Sequence, residues 1–362
     1  NAFFESLSGF TTTGLSIFST VANLPKSILF WRALTQWMGG MGIIIIFLSV
    51  LRSVRTSSMT LYRSQGLSEK IEPSLISTSR YILKIFITYT LLGIVALFAT
   101  GLPLFDSITT AFTAISTGGF TVVDTFYTNP ATLAVISILM LLGSINFILH
   151  SKLFKKNFNE FLKNPEVKGI AVMLIFLISA GFIVSGSLSI SIFQMISALT
   201  ATGFSITDTA SLSPLFIVLI IIAMIIGSSS GSTAGGIKQM RFIIALKSIL
   251  WTIKKTRAPP NAIIPFKING KVIHSDIVKM TGIFIFTYIL ILVISSLILM
   301  FSGYTPQESI FQCASAQGTV GLSVIDISST PIIVKLTLCI VMLLGRLEIF
   351  PLLILLYNVF SR

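Results

Sequence analysis

Long apolar stretches alternate with short polar connections along the whole chain. A helix needs about 20 apolar residues to cross a bilayer whose hydrocarbon core is about 30 Å thick. Shorter apolar segments lie at 105–116, 189–200 and 306–317. They are too short to cross, so we expect each one to enter from one side, stop midway and return as a loop. Stretches of spanning length lie at 28–51, 80–101, 130–150, 167–188, 213–248 (with an interruption), 277–301 and 330–360.

The composition supports a membrane location. Of the 362 residues, 54% are hydrophobic and only 10% are charged, whereas a soluble domain carries roughly 25% charged residues. The two cysteines, Cys313 and Cys339, stand among apolar or small residues, and their spacing fits neither a metal site nor a disulfide framework. We therefore expect an integral membrane protein in which both cysteines are simply buried.

The basic residues are concentrated in three polar connections. The net charge is +13, and most of the 25 lysines and arginines lie in or beside residues 57–79, 152–165 and 253–276. Basic connections stay on the cytoplasmic side of a membrane, so we expect these three there and no nucleic acid as a partner. A broad basic face also suits contact with anionic lipids and the docking of a soluble protein. His150 and His274 lie near the same side, where we expect surface or interfacial residues rather than a proton relay.

One short motif occurs four times. A glycine anchors each copy, a hydroxyl residue stands six positions before it and two positions after it, and a small residue stands five positions before it. The copies are SGFTTTGLS (8–16), TAISTGGFT (113–121), SALTATGFS (197–205) and SAQGTVGLS (315–323). The anchoring glycines are Gly14, Gly119, Gly203 and Gly321, and Asp124, Asp208 and Asp326 follow the last three by five positions.

The motif predicts an all-α membrane protein in which four pseudo-symmetric repeats surround a central pore. Each repeat consists of a span, a short pore helix, a filter loop and a second span. The first repeat is incomplete at the N-terminus, so we expect at least one membrane helix ahead of Asn1. The predicted repeats are repeat 1 (1–56), repeat 2 (80–151), repeat 3 (166–252) and repeat 4 (277–362), and the three basic connections join them.

Four equivalent loops around one axis are suited to bind a cation through their backbones. Glycine permits positive φ angles and close backbone approach, so carbonyl oxygens can point inward and replace the water shell of an ion. The C-terminal ends of the short helices and the acids at the outer mouth favour a cation there. The alternative is that the small residues only allow close helix packing. The predicted ion-binding backbone comprises loop 1 (Thr11, Thr12, Thr13, Gly14), loop 2 (Ser116, Thr117, Gly118, Gly119), loop 3 (Thr200, Ala201, Thr202, Gly203) and loop 4 (Gly318, Thr319, Val320, Gly321).

Ten small residues, GSSSGSTAGG at 227–236, interrupt the predicted span at 213–248, and we call them the glycine–serine segment. Glycine costs a helix about 1 kcal/mol per position relative to alanine. The segment should therefore leave the helix and find backbone partners in a wet cavity or against protein. We expect it to lie across the pore as a gate, and the alternative is a static kink. The predicted gate residues are Gly227, Ser228, Gly231, Ser232, Gly235, Gly236, Lys238 and Arg346.

Arg346 is the charged residue expected deep within the last span, near Glu348. A charge at mid-membrane costs about 2.5–3.5 kcal/mol, which makes it a functional candidate. A cation on the path below the loops would raise the barrier to another cation in either direction. The alternative is a structural ion pair with Glu348, although residues two apart do not face each other on a helix. Lys238 is interpreted first as a marker of the cytoplasmic interface and second as a gate residue.

Three further motifs accompany the four loops: QWMGGMGI (36–43), GSSSGSTAGGIK (227–238) and GRLEIF (345–350). With them, the whole chain resembles the Trk/Ktr/HKT superfamily of potassium transporters, and within it the Trk-type membrane subunit. The resemblance implies potassium uptake across the inner (cytoplasmic) membrane, a homodimer, and a cytosolic nucleotide-binding regulatory ring outside this chain. It also implies potassium at the filter and no organic cofactor. In that family glycine in the first loop goes with potassium preference and serine with sodium permeation, so Gly14 favours potassium.

Other functions stay open on the sequence. A sodium-coupled or sodium-permeable cation transporter of the same superfamily is one alternative. A secondary transporter of another solute would also carry a broken helix near the midplane, but it would not need four copies of one loop. An enzyme is disfavoured, because the sequence offers no nucleophile–base pair, carboxylate dyad or metal-ligand cluster.

Overall fold

A computed structural model of the chain describes residues 1–53, 75–154, 157–259, 262, 264–347, 349–352 and 357. Their regular structure is helical apart from a short antiparallel hairpin, β1 (Lys267–Ile268) and β2 (Lys271–Val272), and two 3-10 turns, Thr209–Ser211 and Ile327–Ser329. Most of the connection predicted at 57–79 lies outside the described residues. The helices are α1 (Ala2–Phe10), α2 (Lys26–Ser53), α3 (Leu75–Ala99), α4 (Leu104–Ile115), α5 (Pro130–Ser144), α6 (Phe147–Phe154), α7 (Phe158–Lys163), α8 (Pro165–Ser185), α9 (Leu188–Leu199), α10 (Pro214–Ile226), α11 (Gln239–Thr256), α12 (Ser275–Phe301), α13 (Pro306–Gln317) and α14 (Ile332–Arg346).

Short helices stand where the sequence predicts them. The segments predicted at 105–116, 189–200 and 306–317 are α4, α9 and α13, each within one residue at both ends. The corresponding short helix of the first repeat is α1. Each short helix is followed by a loop and a returning helix, and it also contacts the returning helix of the preceding repeat in cyclic order. These contacts join α4 to α2, α9 to α5, α13 to α10 and α1 to α14.

Prolines and capping side chains fix several helix starts. Proline suits the first helical position, because that position has no intrahelical partner for an amide. Asn129 and Asn164 precede such prolines, and each side chain accepts a hydrogen bond from the amide two residues ahead. Thr305 and Glu308 form a reciprocal capping box around Pro306. The short helix α13 therefore starts at a defined residue.

Three described helices are long and apolar enough to cross a membrane by length and composition: Ser79–Ala99, Pro165–Ser185 and Ser275–Phe301. Their outer faces carry large exposed side chains, among them Ile183 at 83% and Phe301 at 90%. Such faces are typical of helices that contact lipid hydrocarbon. Inside, apolar side chains of the third and fourth repeats, together with Phe4 and Leu15 of the first, form the largest core cluster, which includes Val320 of loop 4.

The prediction of one continuous span at 130–150 is wrong. Helix α5 ends at Ser144, Ile145 is extended, and α6 starts at Phe147 with a bend of 110°. The cause is a set of backbone hydrogen bonds from another repeat. The Ser229 amide donates to the Ser144 carbonyl oxygen (3.1 Å), and the Phe147 amide donates to the Gly231 carbonyl oxygen (3.2 Å). These bonds replace helical bonds that a straight span would have made.

Two other long apolar stretches are also interrupted. The break predicted within 213–248 separates α10, which ends at Ile226, from α11, which begins at Gln239. The stretch predicted at 330–360 forms α14 only as far as Arg346, and Leu347 leaves the helix before residues 349–352 are helical again. The first helical segments that follow loops 2, 3 and 4 therefore all end 23 to 25 residues after the anchoring glycine.

His150 corrects a second expectation, since its side chain is fully buried rather than interfacial. The bend after α5 carries α6 inward, and His150 with it. Its Nε2 lies 2.9 Å from the Leu142 carbonyl oxygen, and its Nδ1 lies 3.1 Å from the Tyr89 hydroxyl. Because a carbonyl only accepts, Nε2 carries the proton and Nδ1 accepts from Tyr89. His274 is exposed, and Cys313 and Cys339 are buried and free, as expected.

Glycines let the returning helices cross the ends of the short helices. A side chain on Gly143 would collide with the carbonyl oxygen of Ile115, the last residue of α4. Gly39 meets Phe10 in the same way, and Gly345 meets Gln317. The same contact therefore recurs in repeats 1, 2 and 4, and it sets how closely each span approaches its loop.

We expect Gly143→Ala to lower the free energy of unfolding by about 1–3 kcal/mol, because the added methyl group overpacks this crossing. Gly282→Ala is the matched control, since Gly282 lies in α12 with nothing within 4 Å of an added Cβ. Thermal unfolding in detergent compares the two variants. Equal stability of the two would contradict the packing described here.

Candidate functional site

The four loops share one backbone conformation. Their first residues are right-handed, with φ between −81° and −75°. Their second residues are left-handed although none is glycine, with φ of 54° (Thr12), 52° (Thr117), 55° (Ala201) and 49° (Thr319). The fourth residues are the anchoring glycines, with φ from 78° to 95°. Left-handed non-glycine residues are uncommon, so four at one aligned position mark a repeated, built geometry.

Each short helix satisfies the amides of its own loop. The third loop residue donates its amide to the carbonyl oxygen of the hydroxyl residue five positions earlier in all four repeats. These bonds are Thr13 to Ser8 (2.9 Å), Gly118 to Thr113 (2.8 Å), Thr202 to Ser197 (3.0 Å) and Val320 to Ser315 (2.8 Å). The amide of the third loop residue is therefore already hydrogen-bonded to the preceding helix, whereas its carbonyl oxygen takes no part in that bond.

The carbonyl oxygens of the third loop residues mostly lack a hydrogen-bond donor. Within the described residues, no hydrogen bond reaches the carbonyl oxygens of Thr13, Thr202 or Val320. The fourth equivalent oxygen, on Gly118, accepts a hydrogen bond from Gln36 Nε2 at 2.6 Å. All four residues are buried. Buried backbone oxygens are normally paired, so three unpaired ones at equivalent positions point to a ligand.

Through these four carbonyl oxygens the loops contact one another in a closed ring. A side chain on the anchoring glycine of any loop would collide with the third carbonyl oxygen of the next loop. Gly14 faces the Gly118 oxygen, Gly119 faces Thr202, Gly203 faces Val320, and Gly321 faces Thr13. Glycine is thus required both by the positive φ and by the close approach of the neighbouring backbone.

The hydroxyl column six positions before the glycine supports the turn in two repeats. Ser197 Oγ accepts from the Gly203 amide (3.1 Å) and donates to the Phe204 carbonyl oxygen (2.7 Å). Ser315 Oγ likewise accepts from the Gly321 amide at 3.1 Å. In repeat 2, Thr113 instead donates back to its own helix.

A second supporting column, nine positions before the glycine, escaped the sequence analysis. It pairs with the hydroxyl two positions after the glycine: Ser16 Oγ donates to Glu5 Oε1 (3.0 Å), and Ser323 Oγ donates to Gln312 Oε1 (2.9 Å). In repeat 3 the direction is reversed, and Gln194 Nε2 donates to Ser205 Oγ. Extending the four-copy alignment three residues towards the N-terminus would have shown Glu5, Thr110, Gln194 and Gln312 in register.

Arg32 links the first two repeats at this level, and sequence reasoning gave it no role. Its guanidinium forms a buried ion pair with Glu5 (Nε to Oε1, 2.8 Å) and donates to Ser16 Oγ (3.0 Å). It also donates to the Thr121 carbonyl oxygen (3.2 Å), just after loop 2, and stacks over the Phe120 ring. One charged side chain therefore connects the residues that follow loops 1 and 2.

Two of the three aspartates that follow the loops cap local turns, and the third bridges two repeats. Asp208 and Asp326 accept from the amides two residues ahead and cap the two 3-10 turns. Asp124 instead accepts from the Val21 amide at 2.6 Å and so bridges repeats 1 and 2. Hydrogen bonds, above all from the Ser328 hydroxyl, lower the pKa of Asp326, so this carboxylate is charged at neutral pH.

The glycine–serine segment is a buried loop between α10 and α11, and hydrogen bonds join its two ends. Its base is pinned by three backbone bonds of 2.9 Å each, from the amides of Ile237, Lys238 and Gln239 to the carbonyl oxygens of Ile225, Ile226 and Ser228. A side chain on Gly227 would collide with the Gly235 carbonyl oxygen. Lys238 is half-buried with a φ of 78° at the start of α11.

This segment lies directly against the loops. A side chain on Gly235 would collide with the Gly318 carbonyl oxygen and the Thr319 hydroxyl of loop 4. The Thr233 hydroxyl accepts from Thr117 of loop 2 (3.1 Å) and donates to the Gly143 carbonyl oxygen (2.9 Å). The segment therefore contacts two of the four loops.

Arg346 crosses from repeat 4 to repeats 1 and 3. Its residue is 7% exposed; Nη2 donates to the Gly39 carbonyl oxygen at 2.9 Å and Nη1 to the Thr233 carbonyl oxygen. Its Nε has no hydrogen-bond partner among the described residues. Glu348, the partner proposed in the alternative interpretation, lies outside the described residues.

Arg346 also occupies a repeated position that the sequence analysis overlooked. A glycine follows the anchoring glycine by 24 or 25 residues in every repeat, as Gly39, Gly143, Gly227 and Gly345. The residue after it is Gly40, Ser144, Ser228 or Arg346. Three small residues and one arginine thus hold equivalent places in the four repeats.

Together these features define a helical membrane protein whose repeated loops meet in a ring of backbone oxygens. The chain belongs to the TrkH family: the family model, described as cation transport protein, matches residues 1–176 and 183–360. An uncharacterized cation transporter of Methanocaldococcus jannaschii is 36% identical over 100% of this chain and 77% of its own length. The Trk system potassium uptake protein TrkH of Escherichia coli (strain K12) is 30% identical over 100% of this chain and 79% of its own length. The crystal structure of the potassium transporter TrkH from Vibrio parahaemolyticus matches with a TM-score of 0.89 and 28% identity, covering 100% of this chain and 79% of that one.

Arg32→Gln should lower the free energy of unfolding by about 3–5 kcal/mol, because it leaves the buried Glu5 carboxylate without its cation. The double variant with Glu5→Gln should recover part of that loss. Glu160→Gln, which removes the exposed pair with Lys152, should change it by no more than about 1 kcal/mol. Denaturation of these proteins in detergent gives the comparison, and a double variant no more stable than Arg32→Gln would contradict the pairing.

Proposed function

We propose that the protein takes up potassium across the cytoplasmic membrane through a channel-like pore. Loops 1 to 4 select the ion, and the glycine–serine segment with Arg346 closes the path below them. The observation that carries the proposal is the closed ring of loop carbonyl oxygens, three of which have no donor among the described residues. The names of the Escherichia coli and Vibrio parahaemolyticus relatives, which specify potassium, support the choice of ion.

The ring suits a dehydrated cation for a simple energetic reason. A buried carbonyl oxygen without a hydrogen bond costs free energy, and a cation that has shed its water supplies the missing partner. Each loop follows the C-terminal end of a short helix, where the negative end of the helix dipole favours positive charge. Repetition of the arrangement in all four loops favours ion coordination over the alternative that the small residues serve packing alone.

The proposal includes an orientation and an assembly. The loops and their aspartates face outside, and the basic connections at 152–165 and 253–276 face the cytoplasm, where their charge belongs. A homodimer in the lipid bilayer and a cytosolic nucleotide-binding regulatory ring complete it, and both rest on the resemblance to Trk-type subunits. Nothing in this chain is proposed to hold an organic cofactor.

The contacts of Arg346 support the proposal that the pore is closed below the loops. Its guanidinium is bonded to the Gly39 and Thr233 carbonyl oxygens, so it ties the glycine–serine segment to the first repeat. A fixed cation at this depth repels a potassium ion that has passed the loops. Conduction then requires the segment to move away, and its glycines provide the backbone freedom for that movement.

Gly203→Ser should abolish the preference for potassium over sodium, because the new side chain collides with the Val320 carbonyl oxygen of the ring. Rubidium, potassium and sodium uptake by purified protein in vesicles measures the preference, with a neutral sugar as the solute that should not pass. Gly186→Ser is the control: Gly186 also has a positive φ (68°), but nothing lies within 4 Å of an added Cβ. An unchanged ion preference in Gly203→Ser would count against the ring as the selecting element.

Arg346→Ala should raise potassium flux through the vesicle-embedded protein by about tenfold or more, which corresponds to a barrier lowered by at least about 1.4 kcal/mol. Arg346→Lys keeps the positive charge and should stay close to the unsubstituted protein. Flux that falls in the alanine variant, at equal amounts of folded protein, would contradict a barrier role.

A further inference from the structure

Glu166 is a buried carboxylate beside the glycine–serine segment. It stands in the first turn of α8 with 5% of its residue surface exposed, and its amide is capped by the Asn164 side chain at 2.9 Å. A buried carboxylate is costly unless hydrogen bonds compensate it. The partners of Glu166 therefore indicate what the residue does.

The carboxylate accepts two hydrogen bonds from the glycine–serine segment. Ser229 Oγ donates to Oε2 at 2.6 Å, and the Ser230 amide donates to Oε1 at 2.9 Å. The carboxyl group thus accepts from two consecutive residues of the segment.

Glu166 and Arg346 hold different parts of the segment. The carboxylate holds Ser229 and Ser230 from α8 of repeat 3, whereas Arg346 holds Thr233 from α14 of repeat 4. The segment is thus held from two sides by side chains that come from separate helices. Either contact can be removed by substitution while the other stays in place.

We propose that Glu166 is a positioning residue that keeps the glycine–serine segment in its closed conformation, an inference that rests on the gating role proposed above. Loss of the carboxylate frees Ser229 and Ser230 and shifts the segment towards open conformations. Because Glu166 directly follows the 152–165 connection, a displacement of that connection by a cytosolic partner pulls on the same bonds. The start of α8 is then the point where a regulatory movement reaches the gate.

The test compares Glu166→Gln with the unsubstituted protein in vesicles by two readouts. The first is amide hydrogen exchange at Thr233, whose amide bonds the Gly143 carbonyl oxygen and does not touch Glu166. The second is rubidium flux. We expect each to rise about tenfold, the effect of weakening the hydrogen bonds of buried donors. Glu166→Asp, which keeps the charge on a shorter side chain, should fall between the two proteins.

Two further variants keep the test decisive. Glu160→Gln removes an exposed carboxylate on the neighbouring helix α7 and should change neither readout. Ser229→Ala removes one donor without changing the charge, and it serves if Glu166→Gln does not fold. It should act in the same direction with a smaller effect.

The outcomes separate this inference from the proposed gate. Faster exchange at Thr233 with unchanged flux would support the positioning role and overturn the gating role of the segment. Unchanged exchange at Thr233 in both Glu166→Gln and Ser229→Ala would overturn the positioning role. Faster exchange that extends to the amides of α12 would also overturn it, since that result reports general destabilisation.

Discussion

The structure depends on how the end of each short helix distributes its backbone hydrogen bonds. The amides of each loop are satisfied by the helix that precedes it, and the carbonyl oxygens are turned towards the neighbouring loop. Buried oxygens without donors are unfavourable, so everything around them serves to hold this arrangement. The left-handed residues, the anchoring glycines, the supporting hydroxyls and the glycines where the returning helices cross all follow from that one requirement.

The departures from symmetry are as informative as the repeats. At the position after the crossing glycine, repeats 1 to 3 carry Gly40, Ser144 and Ser228, and repeat 4 carries Arg346. In repeat 3 the helix also stops there and gives way to the glycine–serine segment. Repeat 2 breaks to receive that segment through backbone bonds. A scaffold of four similar units thus supplies one buried arginine, one non-helical segment and one place that receives this segment, which a fully symmetric protein could not provide.

Features that recur in all four repeats could be predicted from the sequence, and so could the break at the glycine–serine segment, whose composition opposes a helix. Features that depend on partners far along the chain could not. The loops and short helices were predictable because each copy supports the others. The bend after Ser144 was not, since the hydrogen bonds that accompany it are made with Ser229 and Gly231, in a segment far along the chain. Glu166, Arg32 and His150 were missed or misjudged because their partners come from other helices, so no local pattern marks them. The column of Glu5 and Gln312 was visible in the sequence, but the alignment stopped three residues short of it.

Gly321 faces Thr13, so the last loop to be synthesised closes against the first. A ribosome delivers loops 1, 2 and 3 into the membrane while the ring still has an open side. Completion of the ring is therefore a late event in biogenesis that waits for the final helices to insert. A chain truncated within repeat 4 would lose the enclosed geometry altogether, and its three remaining loops would leave buried oxygens facing lipid or stray water.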